Sequence, residues 1–129
     1  MKKLEKQKTK VVLPIKPKFA EAIFNGEKKI EFRKNIFNHN VTKVIVYASS
    51  PISKIIGEFQ IDEIIKDDID NLWKNTKNDS GTTKESFLKY FKNKKNGYAI
   101  KINKPIKYKT YKSFKELYGF SHPQNFYYA

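Results

Sequence analysis

The sequence predicts a small mixed α+β domain, a β-barrel of five to six strands with short flanking helices. The chain has 129 residues, which is close to the usual size of one domain, and 15% of them are aromatic, which is typical of a folded chain. Strand-like segments follow one another directly between Lys29 and Ile65, whereas a doubly wound sheet would need helices between most of its strands. We therefore expect a basic tail at residues 1–9 and a single domain at residues 10–129.

The first half of the chain contains one helix among its strands. Pro17 is typical of a first helical turn, and Gly26 is a natural helix end. Residues 29–33 alternate in polarity, with Ile30 and Phe32 on one face of the predicted strand. The other strand-like segments of this half are residues 11–15, 43–48 and 55–65.

The second half of the chain contains three short helices. The first is predicted at residues 67–74. The other two follow capping-box spacings, Thr82 before Glu85 and Ser113 before Glu116, and the last of them ends at Gly119.

Two short strands are expected between the last two helices. The Asn96-Gly97 dipeptide predicts a turn into a strand at residues 98–102, and a second strand is expected at residues 106–111.

The composition excludes several kinds of site. Without cysteine, the chain has no disulfide, no cysteine-based zinc site and no thiol nucleophile. His39 and His122 are far apart, so we expect no histidine-rich metal site and no cofactor. No apolar stretch is long enough to cross a membrane, and no apolar segment follows the basic N-terminus as in a secretory signal. The cytoplasm is the expected compartment.

The net charge of +14 points to a polyanionic partner, RNA or DNA. A second explanation stays open, because Arg33 is the only arginine and lysine, asparagine and isoleucine are abundant, as an AT-rich genome alone would produce. Proteins that read phosphates or bases often use the arginine fork instead.

The most informative segment is residues 24–33, where a helix stops, the chain turns and a strand begins. Lys28 lies at the turn, and Glu31 and Arg33 share one face of the strand. Such a trio can hold a phosphate or a base edge, or tune the pKa of the lysine. The alternative is an exposed, charged strand face on which Glu31 merely pairs with Arg33 or Lys29.

Two other segments offer groups for binding RNA. Tyr47, Ser49 and Ser50 supply hydroxyl groups at a strand end, although an ordinary polar turn would have the same composition. Near the C-terminus, Gln124 and Phe126 could hydrogen-bond and stack on a splayed base, or the aromatic residues there could close the barrel.

The order of several motifs resembles the ASCH domains of the PUA-like superfamily. The residues that carry the resemblance are Ile-Lys-Pro-Lys (15–18), Asn-Gly-Glu-Lys-Lys-Ile-Glu-Phe-Arg (25–33), Val-Tyr-Ala-Ser-Ser-Pro (46–51), Ile-Ile-Gly-Glu-Phe (55–59), Trp73, Ser-Gly (80–81), Phe87, Tyr-Ala-Ile (98–100) and His-Pro-Gln-Asn-Phe (122–126). The resemblance implies a small β-barrel with a cleft, and a role in RNA binding, RNA modification or RNA-linked regulation. Our leading hypothesis is a binding module that holds RNA, another nucleic acid or a modified nucleotide in a cleft formed by Lys16, Lys28, Glu31, Arg33, Ser50 and Gln124.

The resemblance also implies two possible activities, hydrolysis of acetylcytidine nucleosides and cleavage of single-stranded RNA. Lys28 and Arg33 match the lysine and arginine of the amidohydrolase motif, but Glu31 stands where that motif has its catalytic threonine. A carboxylate cannot replace the hydroxyl nucleophile, although Glu31 could serve as a base. Lys28 and Glu31 are thus the candidate catalytic residues, and the site is expected to suit binding better than cleavage. The oligomeric state is not predicted.

Overall fold

The computed structural model describes residues 9–38, 40–120, 122–123 and 125–129. Most of the predicted basic tail, His39 and the candidate ligand residue Gln124 lie outside the described residues.

The described residues form six strands and four short helices. The strands are β1 (Lys10–Ile15), β2 (Ile30–Arg33), β3 (Lys43–Ala48), β4 (Lys54–Asp68), β5 (Asn96–Lys112) and β6 (Tyr127–Tyr128). The helices are α1 (Pro17–Phe24), α2 (Ile69–Thr76), α3 (Lys84–Tyr90) and α4 (Phe114–Tyr118), and a 3-10 turn at Lys77–Asp79 follows α2. This composition confirms the predicted mixed α+β class. No helix in the described part of the chain is long and apolar enough to cross a membrane.

The six strands form one sheet in the order β2-β5-β4-β3-β1-β6. Strands β1 and β3 are parallel, and the other neighbours are antiparallel. Within the described residues β2 and β6 are the two edges, so closure of the sheet into the expected barrel is not confirmed.

Strands β4 and β5 are longer than the sequence predicts. The expected Asn96-Gly97 turn is wrong, because both residues are paired with β4 at the start of β5. The two expected short strands are one continuous strand, whose pairing with β4 shifts register at three places. These irregularities interrupt the alternation that marks a strand, which is why the sequence suggested two short ones. Because β4 extends to Asp68, α2 begins at Ile69 and not at residue 67 as the sequence predicts.

Side-chain caps define the helix ends. Ser113 caps α4 by accepting a hydrogen bond from the Glu116 N–H, and Gly119 ends that helix with a φ of 85°, as the sequence predicts. The predicted cap of α3 is wrong by one residue. Thr83, not Thr82, accepts a hydrogen bond from the Ser86 N–H.

The apolar residues of the sheet divide between its two faces. In β1, Leu13 and Ile15 belong to the main core together with Ile23 of α1, while Val12 belongs to a cluster with Phe114 of α4. A third cluster packs β2 against α2 and α3; its buried members are Ile30, Phe32, Leu72, Phe87, Phe91 and Ala99. Helices α2 and α3 thus pack against β2, and residues of α1, β2 and α3 line the candidate site.

Candidate functional site

A cleft of about 520 Å³ lies among α1, β2 and α3. This volume is typical of ligand sites. Its wall combines cations, one carboxylate and aromatic rings. The lining residues are Pro14, Ile15, Lys16, Lys18, Phe19, Lys28, Glu31, Phe32, Arg33, Thr82, Ser86, Phe87, Lys89 and Tyr90. Four predicted site residues therefore meet in one cleft: Lys16, Lys28, Glu31 and Arg33.

The turn between α1 and β2 directs Lys28 into the protein. Gly26 has a φ of 86°, in the left-handed region that favours glycine, and allows the chain to reverse after the helix. The Asn25 side chain accepts a hydrogen bond from the Glu27 N–H, and the Lys28 N–H donates to the Ala22 carbonyl. These bonds fix the backbone at Lys28 independently of its side chain.

The Lys28 side chain is only 3% exposed. Its Nζ donates a hydrogen bond to the Ser80 carbonyl at 2.9 Å and lies 5.0 and 5.3 Å from the ring centroids of Phe19 and Phe32. Burial lowers the pKa of Lys28, while the Glu31 charge acts in the opposite direction. Lys28 therefore reaches its neutral amine form at a lower pH than an ordinary lysine does.

The turn that contains Ser80 is itself held in place. The Ser80 hydroxyl lies 3.0 Å from the Lys77 carbonyl and 3.2 Å from the Thr82 carbonyl, to either of which its one proton can be donated. It accepts a hydrogen bond from the Thr82 N–H. Gly81 has a φ of 63°, and a Cβ at this position would lie 2.6 Å from the Lys28 Cβ. The backbone at Gly81 therefore packs directly against the Lys28 side chain.

Glu31 is also buried, with 7% of its surface exposed. Burial raises the pKa of its carboxyl group, and the charges of Lys28 and Arg33 act in the opposite direction. The alternative interpretation from the sequence, in which Glu31 lies on an exposed, charged strand face, is therefore wrong.

Arg33 connects the cleft with the C-terminal segment. One terminal nitrogen lies 3.7 Å from the Glu31 carboxylate and donates to the Pro14 carbonyl. The other donates to the Asn125 backbone carbonyl at 3.2 Å and to its side-chain oxygen at 2.9 Å. Much of the guanidinium is thus already engaged by the protein.

The other described residues that the sequence suggested for the site lie outside the cleft. Tyr47 is 4% exposed, and its ring packs on Phe114, on the face of the sheet that is turned away from the cleft. The Ser49 hydroxyl faces the Ile15 carbonyl at 3.5 Å, and Ser50 is exposed. Phe126 packs edge-on against Phe37 in the main core. None of these four residues is among those that line the cleft.

The structure adds lining residues from α3 that the sequence did not suggest. Ser86, Lys89 and Tyr90 all line the cleft. Their spacing of three and four residues, beside the buried Phe87, marks one partly polar face of a helix. That signal was present in the sequence, but only the packing of α3 beside β2 gives it a meaning.

The cleft combines groups that recognise nucleotides. The exposed ammonium groups of Lys16, Lys18 and Lys89 can contact phosphates, and the rings of the wall can contact a base. Lys28 and Glu31 are two buried titratable groups whose pKa values are both shifted towards neutrality. In the described residues, no group of three or more His, Asp or Glu side chains is arranged to hold a metal ion.

Known proteins are similar to this chain in sequence and in fold. The curated ASCH domain-containing ribonuclease of Zymomonas mobilis is 26% identical over 88% of this chain and 80% of its own length. A crystal structure of ASCH from Zymomonas mobilis superposes with a TM-score of 0.88 at 23% identity, covering 95% of this chain and 89% of that one. The N-terminal domain of Staphylothermus marinus McrB superposes less closely, with a TM-score of 0.51 at 12% identity.

Two relatives from Ureaplasma parvum are much longer than the matched region. One is named ATP synthase subunit alpha, 29% identical over 81% of this chain, and the other large ribosomal subunit protein uL22, 28% identical over 92% of this chain. The chain spans only 13% and 38% of their respective lengths. The model of the ASCH domain matches residues 13–120, which is most of the sequence. The chain therefore belongs to the ASCH domain family.

Proposed function

We propose that this protein binds single-stranded RNA, or a nucleotide within it, in the cleft around Lys28. The observation that carries the proposal is the position of Lys28, which is buried near two aromatic rings in a cleft that Lys16, Lys18 and Lys89 also line. A base can stack against an aromatic wall while lysines neutralise the phosphates. The name of the Zymomonas mobilis relative, a ribonuclease, supports RNA as the ligand class. A role in RNA-linked or transcriptional regulation would follow from such binding.

The adjacent residue provides a matched test of this proposal. Lys28→Met and Lys29→Met each remove one positive charge, but Lys29 is exposed and does not line the cleft. We expect Lys28→Met to weaken binding of a labelled single-stranded RNA about tenfold or more, and Lys29→Met to weaken it only about twofold, as one distant phosphate contact would. Anisotropy titrations at several salt concentrations measure both, after circular dichroism has shown that each variant folds. Equal effects would place the ligand outside the cleft.

A second candidate function is cleavage of the bound RNA, favoured by the opposite pKa shifts of Lys28 and Glu31. The neutral Lys28 amine would take the proton of a ribose 2′-hydroxyl, and the 2′-oxygen would attack the adjacent phosphorus. The bond to the 5′-oxygen would break, and protonated Glu31 would supply a proton to that leaving oxygen. The products would be a 2′,3′-cyclic phosphate and a free 5′-hydroxyl.

Cleavage and binding can be separated with one modified substrate. An RNA with a single 2′-deoxy position should bind normally and resist cleavage at that site, because the internal nucleophile is missing. If the protein cleaves RNA as described, a denaturing gel will show cyclic-phosphate ends that disappear with Lys28→Met. If intact RNA is recovered from a stable complex, binding alone is the function.

A further inference from the structure

A second group of aromatic side chains lies on the sheet face opposite the main core. Phe114, Tyr118, Phe120 and Tyr127, here called the aromatic platform, lie in and after α4. Phe114 shares a buried cluster with Val12, Tyr47 and Ile55, and Tyr118 and Tyr127 pack against that cluster. Phe120 joins the group through its contact with Tyr127. Because Val12 alternates with the core residues of β1, this face is turned away from α1 and the cleft. No member of the platform lines the cleft.

The platform has a buried base and an exposed rim. Phe114 is 1% exposed and contacts both tyrosines, whose ring centroids are 5.0 Å apart. Tyr118 and Tyr127 are half-buried, and Phe120, 5.8 Å from Tyr127, is 58% exposed. An aromatic ring that is exposed to water loses the stabilisation that apolar burial would give. An exposed group of such rings therefore indicates a binding site. The rings therefore offer partly open faces instead of a closed core.

The chain leading to the platform is strongly basic. Residues 104–120 contain five lysines and one acidic residue, Glu116. Lys109, Lys112 and Lys115 are exposed, and Lys112 Nζ lies 5.3 Å from the ring centroid of Tyr108. The Glu58 carboxylate, which accepts a hydrogen bond from the Tyr108 hydroxyl, is already paired with Lys43.

The sheet leaves these lysines open to a ligand. Strand β2 pairs with β5 only at residues 98–101, so within the described chain the lysine-bearing half of β5 has β4 as its one paired neighbour. The open edge runs directly into α4 and the platform. Positive charges beside stacked rings form the arrangement by which proteins bind single-stranded nucleic acids with little sequence preference.

We propose that the aromatic platform is a second binding surface for single-stranded RNA, distinct from the cleft. Bases would stack on Phe120, Tyr118 and Tyr127, while lysines at the end of β5 and the start of α4 neutralise the phosphates. RNA fits better than an acidic peptide, because a peptide would use the lysines but not the exposed ring faces. The choice of RNA as ligand rests on the function proposed above, whereas the location of this surface does not.

Photo-crosslinking locates the contact directly. A twelve-nucleotide RNA carrying 4-thiouridine is irradiated with the full-length protein, and the crosslinked tryptic peptides are identified by mass spectrometry. All three platform residues Tyr118, Phe120 and Tyr127 lie in one tryptic peptide, residues 116–129, so fragment-ion sequencing must assign the crosslinked residue. We expect crosslinks at Tyr118, Phe120 or Tyr127, in addition to crosslinks in the cleft. Crosslinks confined to the cleft would overturn the platform and leave the proposed function intact.

Two exposed apolar residues provide a matched pair of variants. Phe120 and Leu117 are 58% and 51% exposed, so replacing either with serine should leave the fold unchanged, but only Phe120 has a ring. We expect Phe120→Ser to weaken binding of the twelve-nucleotide RNA about fivefold or more, as loss of one stacked base would. Leu117→Ser should change it less than twofold. Equal effects of the two variants would overturn the proposal.

Different results would contradict the two proposals, one for the cleft and one for the platform. If the platform is correct and the cleft is not, Phe120→Ser will weaken binding whereas Lys28→Met will match Lys29→Met. If the rings instead join two copies of the chain, sedimentation will show a dimer that Phe120→Ser dissociates, and this outcome would also overturn the platform as an RNA surface.

Discussion

Lys28 and Lys107 show how differently one residue type behaves in two regions of this molecule. Lys28 is buried, and burial lowers its pKa. Lys107 lies in the exposed half of β5, where hydrogen bonding to Glu21 raises its pKa. Burying a charge costs several kcal/mol unless neighbours compensate, whereas water and salt screen an exposed pair. The location of a lysine therefore says more about function than the count of lysines.

The same contrast bears on the net charge. Exposed lysines create the long-range potential that attracts RNA, and any lysine-rich composition would supply it. Among the described residues Lys28 is the one buried lysine, and its position depends on a carbonyl, a glycine and two rings. An AT-rich genome explains abundant lysine, but it does not explain this arrangement.

The largest expected effect comes from breaking the contact that holds Lys28. Gly81→Ala places a Cβ at 2.6 Å from the Lys28 Cβ and imposes a left-handed conformation on alanine. We expect the free energy of unfolding, measured in urea, to fall by about 2–4 kcal/mol. RNA binding by the folded fraction should also fall, because the Lys28 ammonium group would move.

Gly119 is the control for this variant. Its φ is 85°, and a Cβ there would meet nothing within 4 Å, so Gly119→Ala introduces the backbone strain without the contact. Its free energy of unfolding should fall by only about 1–2 kcal/mol. If both variants lose the same amount, Gly81 matters only for its backbone conformation and does not position Lys28.

A second expected effect concerns the pH dependence of stability. Burial raises the pKa of Glu31 above its usual value of 4.5, so the folded state binds the proton more tightly than the unfolded state. The contribution of Glu31 to the free energy of unfolding is therefore greatest at or below pH 4.5 and declines as the pH rises through the folded pKa. Glu31→Gln should remove this decline, as urea titrations at several pH values can show.

Glu58 provides the opposite control. Hydrogen bonds from Lys43 and Tyr108 lower the pKa of Glu58, the former being the stronger influence. Its stabilising contribution is present above pH 4.5 and is lost as the pH falls through the folded pKa. Glu58→Gln should therefore flatten the acid side of the profile and leave the decline above pH 4.5 in place. A wild-type profile without that decline would contradict the raised pKa of Glu31.

Local signals in the sequence predicted the parts of the fold that depend on neighbouring residues. Pro17 begins α1 and Gly26 follows its end, and Ser113 and Gly119 bound α4. Such signals act within a few residues of the chain. The length of β5 could not be predicted in this way, because its register shifts depend on the strand beside it.

The candidate site, like the fold, could be predicted only where it depends on residues that are close in sequence. The spacing of Lys28, Glu31 and Arg33 predicted that they could converge, and all three line one cleft. The burial of Lys28 could not be predicted, because its partner Ser80 lies 52 residues further along the chain. Tyr47 shares a face of β3 with Ile45, so the alternation of that strand could have placed it opposite the cleft.

The smallest expected effect is at the surface pair. Lys107 Nζ lies 3.0 and 3.2 Å from the two Glu21 carboxylate oxygens, which is a shorter contact than that between Arg33 and Glu31. Both members are exposed, however, so solvent competes for the charges and ordering two long side chains offsets the attraction. We expect Lys107→Met to leave the midpoint of urea unfolding unchanged, as should Glu21→Gln. A clear loss of stability in both variants would mean that distance, and not burial, governs the ion pairs of this protein, and the contrast with Lys28 would then fail.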